Sequence, residues 1–129
     1  QEIRTLAQGY PNIEIVGWVD DTRLKELIGR CIATIYIPLN EDFGMSPLEG
    51  MTAGKPCIGV DEGGLRETMI DGKTGVLIPQ GCKVEDLIQA VEALTPTRAL
   101  EMRAACEERA KQFDTPSFLE KMKQIIQET

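Results

Sequence analysis

Glu41 and Glu49 mark the ends of an E-x7-E spacing in the stretch Glu41-Asp-Phe-Gly-Met-Ser-Pro-Leu-Glu49, and the residues between them suit a loop that meets a ligand. Ser46, Pro47 and Glu49 read as the N-cap, first and third positions of a helix, a capping box with proline at the first helical position. Gly44 lets the backbone approach a ligand closely, and the free N–H groups of Gly44, Met45 and Ser46 point toward whatever sits there. That geometry suits an anion, typically phosphate. The two carboxylates add acceptors for hydroxyls, and the mixture fits a nucleotide sugar. A plainer reading covers the same residues: Glu49 is the expected partner of a Ser46 cap with or without a ligand, and acidic residues are common in loops. Only the combination with the rest of the chain favours a site.

The composition removes several chemistries. There is no histidine among the 129 residues, so Ser-His-Asp and Cys-His catalysis and His-ligated metal sites are out, and no metal is expected. An acid or base must be a carboxylate, Lys, Tyr, Cys or the substrate itself. Cys31, Cys57, Cys82 and Cys106 form no C-x-x-C pair, so zinc and thioredoxin-like chemistry are not indicated, and all four are expected reduced in a cytoplasmic protein. Cys57, in Pro-Cys-Ile-Gly-Val, reads as a small core residue. Asp and Glu total 21 against 14 Lys and Arg, for a net charge of -7, which disfavours nucleic acid and anionic membranes as partners. No segment is long and apolar enough to span a membrane. The chain opens at Gln1 without an initiator Met or secretory segment, so excision from something longer is expected.

The elements that must position these residues alternate. Residues 3–7 read as a helix, 13–16 as a short strand ending at Gly17, and Asp20-Asp21 as the cap of a helix over 22–30. A buried strand over 33–37 leads into the loop. The helix from Pro47 ends at Gly54, followed by a strand over 57–60, a short helix over 65–70 opened by Gly63-Gly64, a turn over 71–75 and a strand over 76–78. Helices over 84–94, 98–112 and 117–127 complete the chain. Strands that are apolar runs, separated by helices, predict an α/β fold with a parallel sheet covered on both faces. Ligands of such sheets sit beyond the carboxyl ends of the strands, where the loops holding Trp18-Val19, residues 41–46 and Gly63-Gly64 would converge.

The run from Glu41 through Ala-Gly-Lys-Pro and Gly-Gly-Leu-Arg-Glu67, followed by Asp71-Gly-Lys-Thr-Gly-Val-Leu-Ile78, resembles the C-terminal, donor-binding half of the group 1 retaining glycosyltransferases of the GT-B fold. The motifs occur in the family's order over residues 13–79. The resemblance implies a nucleotide-sugar-binding, Rossmann-like domain over the whole chain, lacking its first two strands and carrying C-terminal helices from about 84 to 127. It implies that Glu49 accepts the ribose hydroxyls of the donor and that Glu41 faces the transferred sugar as the catalytic carboxylate. The backbone N–H groups of Phe43, Gly44, Met45 and Ser46 would hold sugar and distal phosphate. Trp18 or Val19 would border the base, and Gly63 and Gly64 would let their loop pass close to the donor. The donor is then a nucleoside-diphosphate sugar, with no cofactor or metal, and the acceptor sits on an N-terminal domain missing here. The family's basic Arg–Lys pair lies upstream of these residues, so the fragment alone is expected to be inactive. In the family's strand order, residues 13–16 and 33–37 flank two absent strands, so a gap rather than direct pairing is expected between them.

Two other readings share the architecture. A phosphorylatable receiver domain also pairs an acidic dipeptide with a Lys-Pro, but Lys55-Pro56 precedes its strand here and falls at the opposite end. A nucleotide-sugar epimerase of the same fold uses a donor without an acceptor, and fold alone does not separate the two.

Overall fold

A computed structural model of the chain describes residues 2–37, 45–113 and 115–128. Three apolar runs pair as parallel strands β1 (Thr34–Tyr36), β2 (Cys57–Val60) and β3 (Gly75–Ile78), in the order β1-β2-β3. The register aligns Thr34 with Cys57 and Cys57 with Gly75. Helix α3 (Met45–Thr52) belongs to the crossover between the first two strands and α4 (Leu65–Thr68) to the second crossover. Successive strand side chains point to opposite faces, and all four residues of β2 are buried. Both faces of the sheet are therefore covered at its centre, as parallel sheets require.

The core joins Leu48 and Met51 of α3, Ile58 and Val60 of β2, Leu65, Met69 and Ile78 to Ala90 of α5 (Val84–Ala93) and Leu94. Met102, Cys106 and Ala110 add the inner side of α7 (Arg103–Lys111), which packs on α3. Helices α1 (Glu2–Ala7) and α2 (Asp21–Arg30) precede the sheet, and α6 (Pro96–Glu101) and α8 (Thr115–Glu128) flank α7 in the chain. Asp20 caps α2, its carboxylate accepting from the Arg23 N–H at 2.8 Å.

Three expectations change. Residues 13–16 form no strand, and Ile13, Ile15 and Val16 are 50%, 37% and 42% exposed. A strand exists only by pairing, and among the described residues β1 has no neighbour on its outer side. The run is not bonded to β1 either, which is what the expected gap requires. The helix expected over 98–112 is two, divided at Met102, and the first starts at Pro96. Thr95-Pro96 is an N-cap followed by proline at the first helical position: the Thr95 hydroxyl accepts from the Arg98 N–H at 3.1 Å. Third, helix α3 starts at Met45, so Ser46 falls within its first turn and not before it. The first four N–H groups of a helix have no intrahelical acceptor, so Pro47 removes no bond there.

Candidate functional site

Helix α3 is locked on one side and free on the other. Pro47, Leu48, Gly50 and Met51 are buried, and Gly50 marks the close approach to the sheet: a Cβ there would stand 3.1 Å from Thr34 Cγ2. The helix ends in a Schellman turn. The N–H of Gly54, at φ +80°, donates to the Met51 carbonyl and that of Lys55 to the Gly50 carbonyl, both at 2.9 Å. Glu49 falls on the exposed side and makes no hydrogen bond or ion pair among the described residues.

That free side faces α2. Glu49, Thr52 and Ala53 line a groove of about 440 Å³ with Asp21, Leu24, Lys25 and Ile28. Asp21, Leu24, Lys25 and Ile28 of α2 and Glu49 and Thr52 of α3 thus share this groove.

Of the other residues expected at the site, Glu41, Phe43 and Gly44 lie outside the described residues. Met45 and Ser46 form the first turn of α3. Because β1 and β2 are parallel and in register, the connection into α3 and the loop after Val60 leave from the same edge of the sheet. The latter loop is tightly held. Arg66 grips Asp61 through Nε to Oδ1 at 3.0 Å and Nη2 to the carbonyl at 2.9 Å. Arg109, reaching from α7, donates to the carbonyls of Thr68 (3.0 Å) and Glu67, the last of α4. Gly63 is exposed at φ +55°, a conformation that favours glycine, while Gly64 is buried where α4 begins. Trp18 is 90% exposed and is not drawn against these elements, and Val19 is half-buried.

The Asp71-Gly-Lys-Thr-Gly75 motif is occupied internally. Asp71 Oδ1 accepts from the Leu77 N–H at 2.9 Å, and the fully buried Thr74 hydroxyl accepts from the Ile70 N–H at 2.8 Å. At Gly75, φ +154°, a Cβ would lie 1.8 Å from the Cys57 carbonyl oxygen. Asp71, Thr74 and Gly75 thus start β3 against β2.

The four cysteines are free thiols. Burial pushes the Cys57 thiol up, partly offset by the Thr34 side chain and the Tyr36 backbone. Burial, with Cys57 and Glu107 nearby, pushes Cys106 up to about 11. Both are neutral core groups at neutral pH and poor nucleophiles. Among the described residues no cluster of acidic and cysteine side chains could hold a metal ion, and no helix is long and apolar enough to cross a membrane.

Sequence reasoning missed the arginine clasps around the second loop, whose partners are backbone carbonyls distant in sequence. It also missed that Asp21 lines the same groove as Glu49. The signal was there, since one aspartate suffices to cap a helix and Asp20-Asp21 offers two.

The comparisons with known proteins agree with this fold. Over 80 residues the chain is 41% identical to the alpha-1,3/1,6-mannosyltransferase ALG2 of Dictyostelium discoideum, covering 60% of this chain and 19% of that protein. The corresponding protein of Neurospora crassa is 30% identical over 125 residues, 91% of this chain and 26% of its own length. The chain thus spans only about a fifth to a quarter of these relatives. Among solved structures, sucrose-phosphate synthase from Thermosynechococcus elongatus superposes with a TM-score of 0.85 at 26% identity, over 98% of this chain and 33% of that one. Anabaena Alr3699/HepE, in complex with UDP and glucose, shares the fold with a TM-score of 0.75 at 22% identity, over 99% of this chain and 36% of its own. The family described as glycosyl transferases group 1 matches residues 2–113, and the chain belongs to it.

Proposed function

We propose that this chain is the donor-binding part of a retaining glycosyltransferase, which moves a sugar from a nucleoside-diphosphate sugar to an acceptor held by another part of a cytoplasmic parent protein. The observation that carries the reading is Glu49: an exposed carboxylate without a partner among the described residues, on the free side of a helix otherwise fixed to the core. A carboxylate suits the vicinal diol of a ribose, since both its oxygens accept. Glu41 faces the transferred sugar, and the backbone N–H groups from Phe43 to Ser46 hold sugar and phosphate. Trp18 or Val19 borders the base, and Gly63-Gly64 brings its loop close to the donor. No metal takes part. The bond from the sugar's anomeric carbon to the diphosphate breaks, the acceptor oxygen bonds that carbon on the same face, and its proton passes to the leaving diphosphate. Stabilising that departing charge falls to backbone amides and basic side chains.

The test is a pair of variants in the full-length protein. Glu49→Ala is expected to weaken nucleoside-diphosphate binding by roughly tenfold to a hundredfold, the range of a hydrogen bond to a charged group. Its stability should move by no more than about 0.5 kcal/mol, because the side chain is exposed and has no partner among the described residues. Glu41→Gln is expected to lower turnover while leaving free nucleotide affinity nearly unchanged. Equal affinity in Glu49→Ala and the parent would remove Glu49 from the site, and parallel loss of rate and nucleotide binding in Glu41→Gln would misplace Glu41.

A further inference from the structure

We infer that Arg109 is a positioning residue of the donor site: from α7 it fixes where the loop after β2 stands relative to the helix that carries Glu49. The inference rests on the reading that this loop, with Gly63 and Gly64, passes close to the donor.

The loop is first closed on itself. Arg66, the second residue of α4, reaches back to Asp61, the first residue after β2, and holds both its carboxylate (3.0 Å) and its carbonyl (2.9 Å). The fully buried Thr68 hydroxyl donates to the Gly64 carbonyl at 3.3 Å. Residues 61–68 are therefore one small unit, and bonds within it do not say where it sits. Leu65 and Met69 bury the unit in the core, but apolar packing is non-directional. Arg109 supplies the direction. Its Nε donates to the Thr68 carbonyl at 3.0 Å and its Nη2 to the Glu67 carbonyl, so a planar fork grips two successive carbonyls at the end of α4.

The fork is itself held in place. Nη1 donates to the Gln112 side chain at 2.6 Å, and the guanidinium lies 4.9 Å from the centre of the Phe113 ring, which packs against the core. Arg23, Arg66, Arg98 and Arg103 each pair with a carboxylate. Arg109 pairs with none among the described residues, and its donors go to carbonyl and amide oxygens instead. Helix α7 also packs on α3, so one helix braces both the loop and the helix of Glu49. A loop already held in its place spares the ligand the cost of ordering it.

The experiment titrates UDP-glucose, GDP-glucose and ADP-glucose calorimetrically into the full-length wild type and its Arg109→Ala, Arg109→Lys, Arg98→Ala and Glu49→Ala variants. For the probe that the wild type binds tightest, Arg109→Ala is expected to raise Kd about tenfold, the scale of ordering a few side chains on binding. Arg109→Lys keeps the charge but not the fork, and should recover part of the loss. Arg98→Ala is the control. Its side chain holds the Gly72 carbonyl at 3.1 Å, at the opposite edge of the sheet where β3 begins, so its loss lowers stability yet should leave Kd within about twofold. Hydrogen exchange separates position from stability: amides over residues 61–69 should exchange faster in Arg109→Ala, and saturation with the same probe should return them to the wild-type rate. An unchanged Kd in Arg109→Ala, an equal rise in Arg98→Ala, or fast exchange that the probe does not slow overturns the positioning role. The donor-site reading then stands, because Glu49→Ala tests it separately. A wild-type protein that binds none of the three probes overturns both. Should Arg109→Ala fail to fold, Arg109→Lys decides in its place, an unchanged Kd again overturning the role.

Discussion

Gly75 and Cys106 show how single positions in this fold are constrained from opposite directions, one by space and one by charge. A Cβ at Gly75 would lie 1.8 Å from the Cys57 carbonyl oxygen and 2.8 Å from both its carbon and its nitrogen. All three atoms are backbone of the central strand and cannot turn aside as a side chain could. Gly75→Ala is therefore expected to cost about 4 kcal/mol or more, beyond the usual effect of a point change, and denaturant titration against the wild type measures it. At Cys106 the constraint is desolvation. Its thiol rises from an ordinary value of 9.0 to about 11, so in alkali the unfolded chain ionises first. The stability from keeping this thiol neutral is fully present below about pH 9 and is lost as pH rises through about 11, amounting to at most about 2–3 kcal/mol. Stability curves at the two ends of that window should show a smaller alkaline loss in Cys106→Ala than in the wild type, because other alkaline titrations are common to both. An identical loss would mean that Cys106 ionises as readily in the folded state as in the unfolded one.

Among the elements, α4 depends most on a distant part of the chain. It is only four residues long, too short to persist through its own hydrogen bonds. Arg109 holds its last carbonyls from α7 and also lies 4.9 Å from the centre of the Phe113 ring. Arg109→Ala is expected to lower stability by about 1–3 kcal/mol, and to loosen the Gly63 loop so that amide exchange over residues 61–69 quickens. Unaltered exchange there would mean that Asp61 and Arg66 suffice to hold the loop. The same contrast explains what could be read from the sequence. Elements specified locally were legible: α2 from its aspartate cap and apolar spacing, α3 from its glycine stop, and β2 from a short apolar run between turn signals. What depended on other parts of the chain was not legible. Residues 13–16 have the composition of a strand but no partner to pair with. Thr95-Pro96 reads as a break until Arg98 is seen bonded to the threonine, and the arginine clasps reach across 26, 41 and 42 residues of sequence to backbone carbonyls.

Across the whole molecule, stability is expected to be uneven, and the division falls between α2 and the sheet. Strand β2 is paired on both sides and buried at every residue, and its neighbours α3 and α7 contribute Met51 and Cys106 with no exposed surface. Helix α2 has no buried residue at all, and the run before it belongs to no sheet. Its apolar side is present in the sequence, yet Leu24 remains 36% exposed, and among the described residues nothing covers it as α7 covers α3. Most helical stability in proteins comes from packing of an apolar side and not from propensity, and a ten-residue helix on its own is marginal. Local opening of α2 should therefore require far less free energy than opening of β2, whose amides are released only when the core comes apart. Hydrogen exchange on this chain is expected to show β2 protected to the level of global unfolding and α2 protected at least about a hundredfold less, a difference of about 3 kcal/mol. Equal protection would mean that the chain opens as one cooperative unit. Saturation with a nucleoside diphosphate provides the complementary measurement, because a ligand held by Glu49 in the groove it shares with α2 binds only the ordered form of α2 and must slow its exchange. Slowing confined to β2 and α7 would place the ligand elsewhere.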